Sequence, residues 1–232
     1  MAADCRERVH AADSTRRAVP SMRWHTFPHA PPPIDMTDPS TPDGCLPSRH
    51  TGLAASAWVR RWSHLVAADS TVLDLACGSG RHTHWFQGRG CVVTAVDRDV
   101  AALQGLQGVA RTVVADLEGQ PWPLPGETFA AVVVTNYLWR ALLPDIARSV
   151  GNSGVVIYET FAEGNALVGK PSNPDFLLRT GELLQFAAAH GLRVVAYEDG
   201  FAGHPDRCLQ RLVAVRPSAE AADAQRHLLD PP

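Results

Sequence analysis

No uninterrupted apolar run in this 232-residue chain approaches the roughly 20 residues needed to cross a bilayer, and its first residues lack a signal peptide's apolar core. A membrane-spanning or secreted protein is therefore not expected. Charge of one sign is also scarce: 21 Lys and Arg against 24 Asp and Glu leave a net charge of −3, which gives no global attraction for nucleic acid or anionic lipid. Cysteine is sparse and odd in number. Cys5, Cys45, Cys77, Cys91 and Cys208 form neither a CxxC pair nor a dense disulfide pattern, which points to a reducing, cytoplasmic setting. His82 and His84 point to different faces of a helix, with no acid or cysteine to complete a set, so no metal is expected.

Residues 1–50 lack apolar periodicity, while prolines cluster at Pro31, Pro32 and Pro33 and recur at Pro39, Pro42 and Pro47. Such a stretch cannot bury enough surface to offset its ordering entropy and is read as a disordered extension. The composition shift makes Met36 an alternative start to Met1. One well-filled α/β domain is expected over 51–216, followed by a flexible tail over 217–232.

Within the domain, Leu53, Ala57, Trp58, Trp62, Leu65 and Val66 recur at helical spacing, predicting an amphipathic helix over 52–66 with Arg60 and Arg61 on its wet side. Short β-rich runs then alternate with helical ones. Strands are expected at 71–76, 91–97, 111–115, 129–135 and 154–160, with helices at 81–88, 99–107 and 140–149. The unbroken run Val132, Val133, Val134 suits a strand buried on both faces, as a doubly wound parallel sheet requires. A helix over 180–190, capped by Thr180 and stopped at Gly191, leads into strands 192–198 and 208–215, a terminal antiparallel hairpin.

The segment TVLDLACGSGRHTHWF, residues 71–86, carries the chemistry. Asp74 near the strand end and Gly78 and Gly80 in the turn would let backbone approach a ligand closely and aim amides at its polar end. A dinucleotide fingerprint wants a third glycine where Thr83 stands, which weakens a nicotinamide reading. Asp97, about 20 residues after the turn, stands where a carboxylate can accept from ribose hydroxyls. Asp99 is expected to cap the next helix, and Asp116 to present a carboxylate at the end of the third strand. Glu159, closing VVIYET, is a candidate general base if partly desolvated. The connection 161–178 holds Asn165 and Lys170; with Arg140 and Arg179, Lys170 would make a cationic pocket for an anionic acceptor.

These residues resemble the class I S-adenosylmethionine-dependent methyltransferases over about residues 50–216, with LDLACGSGRHT as cofactor loop and FAAVVVTNYLW as fourth strand and acceptor-side end. More narrowly, NYLWR, YETFAEGN and PSNPDFLLRTGELL are similar to tellurite-resistance and thiopurine-type enzymes. The resemblance implies a Rossmann-like seven-stranded, mostly parallel sheet with a reversed final strand, and S-adenosylmethionine as cofactor. The cofactor set it implies is Asp74, Ala76 (where many members carry glycine), Cys77, Gly78, Ser79, Gly80, Asp97, Arg98, Asp116, Leu117 and Asn136. Asp97 would take the ribose, Asp116 the adenine amino group. Asn136, Tyr137, Arg140, Asn165 and Lys170 are candidate acceptor contacts, and the ring of Tyr137 or Trp139 could face the sulfonium. Tyr137 and Glu159 are the candidate catalytic residues. Methyl transfer to a small molecule is the expected reaction; a protein or RNA methyltransferase, a nicotinamide-dependent oxidoreductase and a non-catalytic cofactor-binding module are the alternatives. The acceptor atom and oligomeric state stay open.

Overall fold

Alternating β-branched runs and helical segments assemble into a seven-stranded sheet with helices on both faces, in a computed structural model that describes residues 54–218 and 227–229. The proline-rich segment, Met36, Cys5, Cys45, Leu53 and most of the tail lie outside the described residues. Strands β1 (Thr71–Leu75), β2 (Val92–Asp97), β3 (Arg111–Val114), β4 (Phe129–Thr135) and β5 (Val150–Phe161) are parallel, while β6 (Arg193–Ala202) and β7 (Arg207–Val215) form an antiparallel hairpin. The order is β3-β2-β1-β4-β5-β7-β6, and β7 alone runs against β5. The reversed strand and hairpin match expectation. Of the described helices, none is long and apolar enough to cross a membrane.

Strand alternation sorts the core into two layers. Leu73, Leu75, Val132, Val134, Val156 and Tyr158 pack with Ile146 of α4 (Leu143–Ser149) and with Leu183 and Phe186 of α5 (Glu182–Ala189). Val72, Ala131, Val133, Val155 and Ile157 meet Trp58 and Trp62 of α1 (Ala57–Trp62) and Phe86 of α2 (Arg81–Gln87). The short α3 (Val100–Gln104) packs Leu103 beside β2, and its cap is Asp99, which accepts from the Ala101 and Ala102 amides.

Several boundaries moved for identifiable reasons. The helix expected over 140–149 is a 3₁₀ turn at Arg140–Leu142 followed by α4, because Pro144 has no N–H to bond back and its ring crowds the carbonyl of Arg140. Thr180 does not cap α5. That position is Gly181 in the left-handed region, and Glu182 accepts the Arg179 amide instead. Strands β6 and β7 extend toward each other until only residues 203–206 remain as the connection.

Candidate active site

After Leu75 the backbone turns through left-handed conformations at Ala76 (φ 53°), Gly78 (φ 54°) and Gly80 (φ 75°), then enters α2. Two amides lock this loop against β2: Cys77 donates to the Val96 carbonyl at 3.0 Å, and Gly78 to the Asp97 carboxylate at 2.7 Å. The other Asp97 oxygen accepts from Asp99 N–H at 2.9 Å. Each glycine has its own reason. A side chain at Gly80 would lie 2.4 Å from buried Leu106, whereas one at Gly78 would meet nothing within 4 Å, so open space stands before the loop.

A cleft of about 180 Å³ lies at the carboxyl ends of the strands, lined by Ala76, Asp97, Arg98, Ala115, Asp116, Leu117, Glu118 and Tyr137. The site expectations for Ala76, Asp97, Arg98, Asp116, Leu117 and Tyr137 thus converge on one place. Ala115 and Glu118 were not foreseen, although both flank Asp116 in sequence. The Asp116 carboxylate accepts from the Glu118 amide at 3.1 Å, a local turn that the ADLE run is able to signal. Tyr137 brings a hydroxyl that is buried and without a hydrogen-bond partner, and burial beside Glu118 and Asp116 pushes its pKa up. A buried unpaired hydroxyl is costly, which singles Tyr137 out on the cleft wall.

Other expected residues lie behind or beside the cleft. Asp74 is only 1% exposed; its carboxylate accepts from the Thr83 hydroxyl at 2.7 Å, and burial raises its pKa to about 6. Thr83, at the missing third-glycine position, is thus this acid's partner. Cys77 is buried, with burial pushing its thiol up, the opposite of a reactive thiolate. Ser79 is exposed on the loop, and Asn136 is exposed at the end of β4 with φ 53°. The Asn136 N–H donates to the Glu159 carbonyl at 2.9 Å, and asparagine tolerates that conformation better than most residues. His82 is buried with both ring nitrogens engaged, Nε2 by Ser56 N–H at 3.2 Å and Nδ1 by the Thr135 hydroxyl at 3.3 Å.

The proposed acceptor cations and the base are arranged differently from expectation. Glu159 is 2% exposed on the α1 face and bound by the Arg211 guanidinium at 2.6 Å; Arg211 also holds Glu198 at 2.9 Å and stands 5.9 Å over the Trp58 ring. A free carboxylate base is not what this pairing presents. Arg140 is no part of an open cationic pocket either: it grips Glu182 through two nitrogens and donates to the carbonyls of Asp175 and Leu177. Asn165 is buried and spends its amide on the Pro171 carbonyl and the Cys208 N–H, fastening the 161–178 connection to β7. Lys170 is exposed and donates to Ser172. The long-range pairs among these, Glu159 with Arg211 and Arg140 with Glu182, leave no local sequence signal.

Residues 72–154 match a family model described as a methyltransferase domain. No curated protein sequence matches the chain. Solved structures do. TehB from Haemophilus influenzae superposes with a TM-score of 0.55 at 17% identity, over 66% of this chain and 59% of that one. The chain thus spans less than two thirds of that relative's length. A TehB-like S-adenosylmethionine-dependent methyltransferase from Corynebacterium glutamicum gives 0.52 at 21% identity over 68% and 86%. The [4+2]-cyclase SpnF gives 0.53 at 14% over 70% and 79%. At these identities the structures establish the fold, while the domain match covers the cofactor loop through β4. The cleft suits an adenosyl cofactor: it offers a loop with room before Gly78, two carboxylates at successive strand ends and an unsatisfied tyrosine hydroxyl. Sheet order, glycine loop and the methyltransferase-domain match over residues 72–154 make the chain similar to the class I S-adenosylmethionine-dependent methyltransferases.

Proposed function

We propose that the enzyme methylates a small-molecule acceptor bound beside the carboxyl ends of β4 and β5. The observation that carries this reading is the internal pairing of the cations near that edge. Arg140 is spent on Glu182, and Arg211 on Glu159 and Glu198, so neither offers that edge a free cation for an RNA backbone.

In this reading Asp97 accepts from the ribose hydroxyls and Asp116 from the adenine amino group, with Arg98 and Leu117 as walls. The backbone from Ala76 to Gly80 and at Asn136 surrounds the methionine end, and Asp74 stabilises the loop from behind through Thr83. Bound S-adenosylmethionine supplies an electrophilic methyl group on its sulfonium. What the chain must add is alignment and exclusion of water. The Tyr137 hydroxyl orients the incoming group, and Glu159 holds Arg211 in place. A reducing, cytoplasmic setting agrees with Cys77, Cys91 and Cys208 being free thiols.

Calorimetry with S-adenosylmethionine and NAD, followed by mass-spectrometric screening of metabolite and macromolecule pools, tests the reading. Binding of the sulfonium cofactor and methylation of a low-mass compound are expected. Methylation confined to protein or RNA, preference for NAD, or binding without transfer would overturn it, the last being a live comparison given that the same fold carries a [4+2]-cyclase.

A further inference from the structure

His82 stands immediately behind the glycine loop, 1% exposed, as the second residue of α2. Its Nε2 accepts from the Ser56 backbone N–H, so the neutral ring carries its proton on Nδ1 and donates it to the Thr135 hydroxyl. Burial drives its pKa down to about 3, which keeps that lone pair available. Ser56 is the N-cap of α1: its hydroxyl accepts from Val59 N–H at 3.1 Å, and its own N–H goes to the imidazole. Thr135 is the last residue of β4, one before Asn136. One ring therefore joins the start of α1, the start of α2 and the mouth end of β4.

Helix α1 needs such a join. With six residues it is far below the length at which a helix holds itself in water. Trp58 and Trp62 bury its inner face, and the Trp58 indole donates to the Leu212 carbonyl at 3.4 Å, but these contacts lie beyond its first residue. At the entry to the helix the imidazole is the fixed point.

We infer that His82 is a positioning residue that pins the start of α1 to the carboxyl end of β4, holding both in register with the cofactor loop that opens α2. This rests on the reading that the acceptor binds beside β4 and β5, but its test does not require an acceptor. His82→Gln places an amide oxygen near the Nε2 position and keeps the Ser56 contact, while His82→Asn places an amide nitrogen near Nδ1 and keeps only Thr135. Ser56→Pro, compatible with φ −57°, removes the N–H that Ser56→Ala retains, while both lose the cap.

Amide exchange of residues 57–62 in the full chain, with S-adenosylmethionine affinity measured alongside, decides the matter. His82→Asn should exchange at least about tenfold faster than His82→Gln, and Ser56→Pro than Ser56→Ala, with exchange in β1 and β4 and cofactor Kd within about threefold of wild type. Equal exchange within both pairs overturns the inference. So does a uniform rise across β1 and β4, the mark of a purely structural histidine. Failure of the wild-type chain to bind the cofactor would instead refute the proposed function and leave the pin standing.

Discussion

The two aspartates that line the cleft take partners from backbone amides, Asp97 from Gly78 and Asp99, and Asp116 from Glu118. Beyond β4, Glu159 and Glu182 take theirs from arginines distant in the chain, Arg211 and Arg140. A backbone partner leaves a carboxylate spare lone pairs to turn toward a ligand, and here it comes from the same turn or the same βαβ unit. A guanidinium neutralises the acid and welds two elements together. One region is arranged for binding, the other for holding shape.

Variants should break the two regions differently. The largest effect is expected from Gly80→Ala, where the left-handed backbone and the 2.4 Å approach to Leu106 should cost about 4 kcal/mol in chemical denaturation. An unchanged midpoint would mean the loop is softer than described. Next comes Asp74→Asn. The folded pKa of Asp74 is raised to about 6 from 3.8, so its contribution is fully present below 3.8 and lost as pH rises through 6. The amide should therefore gain on the order of 3 kcal/mol over wild type at alkaline pH and nothing in acid, by thermal melts across pH. His82 slopes the other way: its folded pKa is lowered from 6.5 to about 3, so its contribution is present above 6.5 and lost as pH falls toward 3.

Arg140→Ala should lower stability by about 2 kcal/mol by leaving the charge of Glu182 with only the Arg179 amide, while the Kd for S-adenosylmethionine stays put. The mirror image is Asp97→Ala, expected to weaken cofactor binding by about 1–2 kcal/mol, roughly 5–30-fold by calorimetry. If the two variants affect the same quantity, the division between the regions is wrong. The smallest change is Ala76→Gly, which relieves a left-handed alanine and should stabilise by about 0.5–1 kcal/mol.

Legibility in the sequence follows the same division. The strand cores, Asp99 as a cap, the loop glycines and the cleft positions of Asp97 and Asp116 follow from short-range patterns: period-two burial, turn chemistry and the fixed span of a βα unit. The end of β4 could be placed, yet not the orphan hydroxyl of Tyr137, because which way a ring folds depends on Glu118 and Asp116 across the cleft. Glu159 read as a free acid since Arg211, 52 residues away, is invisible from its neighbours. Asn165 and Arg140 read as ligands for the same reason. Gly181 displaced Thr180 as the α5 cap because Glu182 is held by Arg140 from the other side of the loop.

The residue pattern by itself determined a parallel sheet closed by a reversed hairpin and a glycine turn with acids at the next two strand ends, because those features are local and repeat with the period of the backbone. Only the tertiary structure decided which polar side chains remain available to a ligand. Availability depends on whether some distant residue has already satisfied the group, and burial makes that satisfaction obligatory.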